Sequence, residues 1–180
     1  EPGQVLFVQG ESCQGIYVVR SGLVGLRRTD EDGNSALLGL AGPGDIAGYR
    51  AFLADDLHSK TAEVLTLCRV LYIERSQIKR LVAQSSIVRE HIVQKALADL
   101  NRSQAKCAAL LTEGLRCRFI RLLVMIHESW APKRGEACFE FELPIQRKDI
   151  AALIGAAPAS LSRLISDLED EGLIRVDGRK

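Results

Sequence analysis

The sequence predicts an α+β chain in three blocks: an all-β unit over residues 1–84, a long helix over 85–111 and a helical unit over 112–180. Three observations carry that reading. Up to Ile73, short apolar runs alternate with Gly, Asp and Asn at the spacing of a sandwich or barrel. Between Ser85 and Gly114 the chain has no Pro and no Gly, which leaves room for one uninterrupted helix. Near the end, RKDIAALIGAAPASLSRLISDLEDEGLI (Arg147 to Ile174) carries two apolar patterns of helical period on either side of GAAP.

In the first block the strands are expected in GIYVVRSG, LVGLRR, SALLGLAG and AEVLTLCRVLYI. DEDGNS (Asp30 to Ser35) is a hairpin turn by its chemistry, because Gly33 and Asn34 tolerate positive φ. AGPGDIAG supplies a second bend, with Pro43 between two glycines. The long helix takes Ser85 or Ser86 as its N-cap. Along it Val93, Leu97, Leu100, Gln104, Cys107 and Leu111 step by four and three alternately, which is a heptad seam suited to a symmetric dimer. A second line through Ile92, Ala96 and Ala108 is expected to face the β unit.

The third block opens with the helix LRCRFIRLLVMIHES, passes through the loop APKRGEA and a strand-like CFEFELP, and reaches the two short helices. The first of these puts Ile150, Leu153 and Ile154 on one face and ends at Gly155, a residue free to adopt the left-handed conformation of a helix C-terminus. The second begins with Pro158, whose missing N–H is not needed in a first helical turn, and buries Leu161, Leu164, Ile165 and Leu168. Ser160, Ser162 and Arg163 lie near its start and off the apolar face, as in helix-turn-helix reading of DNA. EGLIRVDGRK adds a strand and tight turn of the kind that forms a wing. Arg147, Lys148 and Arg163 lead the two helices, and Asp167, Glu169, Asp170 and Glu171 crowd the end. A basic leading edge suits end-on approach to a polyanion.

Composition sets limits on function. At 47% hydrophobic the chain can bury a core, and its net charge of +1 implies no global affinity for polyanions. No apolar run reaches the length of a membrane helix and no secretory signal pattern opens the chain, so a soluble, cytoplasmic protein is expected. The five cysteines, Cys13, Cys68, Cys107, Cys117 and Cys138, form no C-x-x-C pair and read as reduced packing residues. No nucleophile–base arrangement, metal-ligand spacing or phosphate-binding Gly-Lys motif points to catalysis or a metal, so no enzyme is expected.

The order of the blocks, together with PGQVLFVQGESCQGIYVVRSGLVGL, GPGDIAGYRAFL and the helix pair, resembles the CRP/FNR superfamily of bacterial transcription regulators over essentially the whole chain. The resemblance implies a jelly-roll β-barrel of the cyclic-nucleotide-binding type as effector-sensing domain, a dimerisation helix and a winged helix-turn-helix. It implies double-stranded DNA, a second copy of the chain and RNA polymerase as partners, with a palindromic promoter site bound in response to a small-molecule, gas or redox signal. Arg163 falls where the family reads guanine, Ser160 and Ser162 where it meets phosphate or base edges, and Arg147, beside Lys148, where a backbone contact is usual. Ala159 and Ala157 depart from the usual Glu and Ser/Thr cap. The effector pocket would be lined by Gly48, Tyr49, Arg50, Lys60, Thr61 and Asn101. Because Tyr49 stands where cyclic-AMP-binding members carry the acid for the ribose, the reading goes against cyclic AMP. Haem and iron–sulfur ligation are not supported either, since Leu71 stands at the internal cluster-ligand position and His58, His91 and His127 match no haem position. The effector is left unassigned. The competing reading is a β-roll ligand-binding or interaction module without DNA-binding activity.

Overall fold

A computed structural model of the chain describes residues 1–130 and 143–176. They fall into two compact units, Glu1–Lys106 and Cys107–Lys180.

The first unit holds seven strands: β1 (Val5–Phe7), β2 (Gly15–Ser21), β3 (Val24–Thr29), β4 (Ser35–Ala41), β5 (Ile46–Ala47), β6 (Thr61–Val64) and β7 (Arg69–Glu74). They form a four-stranded sheet in the order β1-β6-β3-β4 and a three-stranded sheet in the order β5-β2-β7, with every pairing antiparallel. Alternation decides which side chains face inward. On β6, Ala62 and Val64 are buried while Thr61 and Glu63 are half-exposed. Phe7, Val19, Val24, Ala41, Ala47 and Ala62 make the core between the sheets.

The expected β3–β4 hairpin forms, and Asp30 organises it. Its carboxylate accepts hydrogen bonds from the backbone N–H of Asp32 (3.1 Å) and Asn34 (2.8 Å), while Gly33 takes φ +83°. AEVLTLCRVLYI, expected as one strand, is two, and they belong to different sheets. Between them Leu65 N–H donates to Leu23 O (2.9 Å) and Thr66 Oγ1 accepts from Leu23 N–H (2.8 Å), which holds the crossing point. A continuous apolar run carries no mark of such a change of sheet.

Two helices here were not expected from the sequence. α1 (Tyr49–Ala54) is too short to show a period, and α2 (Arg75–Gln84) follows β7 without an intervening turn residue. α3 (Ser86–Thr112) is the expected long helix, capped by Ser85, whose Oγ accepts from the N–H of Val88 (3.3 Å). A second core joins Cys13, Ile16, Tyr49, Ala51, Phe52, Ile78 and Ile92, with Ala96 against it. The expected inward line of α3 is therefore correct for Ile92 and Ala96. It fails at Ala108, which is exposed, whereas Ala109 is buried. At 100° per residue Ala108 lies about 120° around the helix from Ala96, off the face that Ile92 and Ala96 share.

In the second unit α4 (Leu115–Trp130), α5 (Arg147–Ile154) and α6 (Pro158–Asp170) pack around Phe119, Leu122, Ile126, Ile150, Leu153, Ile154, Leu161, Ile165 and Leu168. Leu164, expected in that core, is half-buried at its margin. CFEFELP lies almost wholly outside the described residues. Leu173–Val176, expected as the start of the wing, is not in a strand. The end of the expected wing lies outside the described residues.

Candidate nucleic-acid interface and effector pocket

Chain chemistry sets the α5–α6 turn. Gly155 sits at φ +64° as the C-cap of α5, and the N–H of Ala156 returns to Ala151 O (2.9 Å). Pro158 then starts α6 with Ala157 as N-cap and no side-chain cap bond. Ile150, Leu153 and Ile154 of α5 and Leu161, Ile165 and Leu168 of α6 are buried, which fixes the rotation of both helices. At 100° per residue, Ala159, Arg163 and Ser166 fall on the side of α6 opposite that core, and all three are exposed.

The residues singled out from the sequence do not all stand alike. Arg163, Ser160 and Lys148 are exposed, whereas Arg147 is half-buried. Ser162 is half-buried as well, and its hydroxyl donates to Pro158 O (3.0 Å), one turn back along its own helix. A contact made there would use its lone pairs. Ser166 was missed by the sequence reading. Its signal was present, three residues after Arg163 on the same face. At the far end of α6 the acidic group is partly neutralised, since Glu171 receives both guanidinium arms of Arg116 (2.8 and 2.6 Å).

The expected effector pocket is only partly assembled. Gly48, at φ +84°, is the N-cap of α1, and a Cβ there would come within 3.2 Å of Gly15 O. Tyr49 is only 4% exposed. Its hydroxyl donates to Asp99 Oδ2 of α3 (2.7 Å). Burial and the bond to Asp99 push that phenol well above its ordinary range. Lys95 bridges Asp99 (2.7 Å) and Asp45 (2.8 Å), which ties α3 to the β4–β5 turn. Burial alone would raise the Asp99 carboxyl, but hydrogen bonds from Lys95 and Tyr49 outweigh it and hold it below its usual range. Sequence reasoning missed Asp99, Lys95 and Asp45. Only the i, i+4 spacing of Lys95 and Asp99 hinted at a pair.

Burial, and then the charge of Arg50, hold the Lys60 ammonium below the ordinary lysine range. Thr61 is turned away, its Oγ1 accepting from the N–H of Gln9 (3.0 Å), and Asn101 is exposed on α3. A ribose needs an acceptor for its hydroxyls at the start of α1. The side chain there is a buried phenol already engaged with Asp99, so the residues present do not fit that group.

His58, weighed as a haem ligand, is a core residue stacked on Phe7 with ring centroids 3.9 Å apart. Among the described residues, no three His, Cys, Asp or Glu side chains gather as a metal site. Cys13 and Cys68 donate to backbone carbonyls, whereas Cys107 and Cys117 are exposed. Cys138 lies outside the described residues. No helix of the described residues is long and apolar enough to cross a membrane.

The seam residues of α3 are in water in the single chain, with Val93 54%, Leu97 53%, Leu100 53% and Leu111 87% exposed. Gln104 and Cys107 are exposed beside them.

Residues 1–85 match the cyclic nucleotide-binding domain and residues 117–180 match the Crp-like helix-turn-helix domain. The chain is 23% identical to the CRP-like cAMP-activated global transcriptional regulator of Mycobacterium tuberculosis, over 98% of this chain and 79% of that one. It is 24% identical to the fumarate and nitrate reduction regulatory protein of Escherichia coli, over 99% of this chain and 71% of the relative. In fold it is similar to FixK2 of Bradyrhizobium japonicum, with a TM-score of 0.82 at 20% identity, covering 99% of this chain and 86% of that chain. A CRP-family transcriptional regulator of Thermus thermophilus gives 0.79 at 24% identity, covering 99% and 87%.

Proposed function

Because the chain belongs to the CRP/FNR family of transcription regulators, we propose that it acts as a homodimer, binds a palindromic promoter site through α6 and changes its DNA affinity when a small molecule occupies the β unit. The observation that carries the DNA reading is Arg163, exposed on α6 directly opposite the buried Leu161, Ile165 and Leu168. A guanidinium so placed can donate two parallel hydrogen bonds to guanine O6 and N7 in the major groove. Ser160 and Ser166 flank it, and Arg147 and Lys148 at the start of α5 reach phosphates. The exposed line of α3 supports dimerisation, because a continuous apolar stripe of this length is costly in water. In this scheme residues 1–84 sense, 85–111 dimerise and 112–180 read DNA. RNA polymerase is the partner through which a bound dimer would act.

Arg163→Ala is expected to lose about 1 to 3 kcal/mol of discrimination at one base pair per half-site. Arg147→Ala should weaken all sequences alike and flatten the salt slope of binding. Both follow from fluorescence anisotropy on duplexes at several salt concentrations. Equal loss of specificity in the two variants would sink this division of roles. Failure to bind random duplex DNA at low salt would favour a ligand-binding or interaction module instead.

A further inference from the structure

The leading end of α6 is apolar where it meets solvent. Ala157, Pro158 and Ala159 are all exposed, and the first turn carries no acidic residue and no side-chain cap. An Asp or Glu in that turn would gain from the helix dipole, and a Ser or Asp at position 157 would cap a free N–H, so helix stability does not account for these residues. Packing does not account for Ala159 either, since it is exposed on the side opposite Leu161, Ile165 and Leu168.

Ala159 shares that side with Arg163. The two are one turn apart, about 6 Å along the axis and about 40° around it. Asp167 lies one turn beyond Arg163, yet among the described residues the guanidinium takes part in no ion pair and is left to reach outward. Ser162 is turned into its own helix, its hydroxyl donating to Pro158 O (3.0 Å). Base pairs stack about 3.4 Å apart, so a base one or two steps from the one Arg163 reads would face the methyl group of Ala159. In the major groove cytosine and adenine present an amino donor there and guanine two acceptors, and each would lose water against a methyl without gaining a hydrogen bond in return. Thymine alone presents a methyl of its own.

We infer that Ala159 is a specificity-determining residue that selects thymine, through contact with its C5-methyl, one or two base pairs from the guanine read by Arg163. The inference rests on the reading of α6 as the recognition helix and names a second base of its half-site. A short side chain serves this role because it lets the helix approach the base edges closely enough for two methyl groups to touch.

The test uses the full chain. A pool of duplexes with randomised half-sites, enriched by binding, should return a thymine at a fixed step of one or two base pairs from a guanine in each half-site. Replacing that thymine by deoxyuridine removes only the C5-methyl. In fluorescence anisotropy it should weaken binding about threefold to fivefold per half-site, the worth of about one buried methyl group. Deoxyuridine in place of a thymine outside the half-sites should change nothing. Ala159→Gly should bind the thymine and deoxyuridine duplexes alike, a coupling that loss of helix stability does not produce. Ala159→Glu should melt at the same or a higher temperature than the parent, because a carboxylate in the first turn suits the helix dipole. It should also move the preference from thymine to cytosine, from whose N4 amino group a carboxylate accepts. The inference is overturned if enrichment returns guanine without a fixed thymine, if deoxyuridine binds as thymine does, or if Ala159→Gly keeps the deoxyuridine penalty. If no duplex is enriched and random DNA is not bound at low salt, the reading of α6 as the recognition helix falls as well.

Discussion

His58 shows how one buried ring makes stability depend on pH. It stacks on Phe7, and its backbone N–H and C=O are taken by Glu11 O (2.9 Å) and Gly10 N–H (2.8 Å). Burial pushes its imidazole below the ordinary 6.5, with Glu11 opposing only in part. The folded chain therefore holds the neutral ring, and the unfolded chain takes up the proton first as pH falls. This contribution to stability is complete above about pH 6.5 and is lost as pH drops toward the depressed folded value. Urea unfolding at pH 7.5, 6.5 and 5.5 should show the decline, and His58→Phe should flatten it over that window. An unchanged slope in the variant would assign the pH dependence to other groups. Tyr49 teaches a second lesson at this scale. Its identity suggested a pocket residue, and its environment makes it the link from α1 to Asp99 of α3.

The turn between α5 and α6 depends on a single glycine. Gly155 has φ +64°, and a Cβ there would collide with Leu110 Cδ2. Gly155→Ala should then cost about 1 kcal/mol or more, because the left-handed backbone is strained for any L side chain and Leu110 must also move. Denaturant unfolding of the full chain checks the loss. Duplex affinity should fall with it, since α6 is oriented through this bend. A fully stable variant would show that α5 can end by another route. α3 behaves differently at the same scale, because its cap and length are local properties while its two faces are set by what packs on them. Ser85 caps it through one hydrogen bond to Val88 N–H, and Ile92 and Ala96 commit one side to the β unit.

For the whole molecule, the exposed line Val93, Leu97, Leu100 and Leu111 leaves an apolar stripe in water in a single chain. Leu100→Glu places a charge in the middle of that seam, where two symmetry-related carboxylates would face each other across a dimer axis. Sedimentation velocity should give a monomer for this variant and a dimer for the parent. Binding to a palindromic duplex should fall steeply while binding to an isolated half-site changes little, because the dimer gains affinity from holding two contacts at once. An intact dimer through the same helix would refute the seam.

By itself the sequence determined the features that are local in the chain. Turn chemistry at Asp30–Asn34, the cap at Ser85, the stop at Gly155 and the start at Pro158 depend on residues within a few positions of one another. The amphipathic faces of α5 and α6 follow from the same short range, and with them the exposure of Arg163. Tertiary structure alone decided what depends on distant partners. The split of one apolar run into β6 and β7 required Leu23, some forty residues away in sequence, to anchor the crossing. The engagement of Tyr49 with Asp99, and of Thr61 with Gln9, likewise joins residues about fifty apart. No periodicity records such pairs.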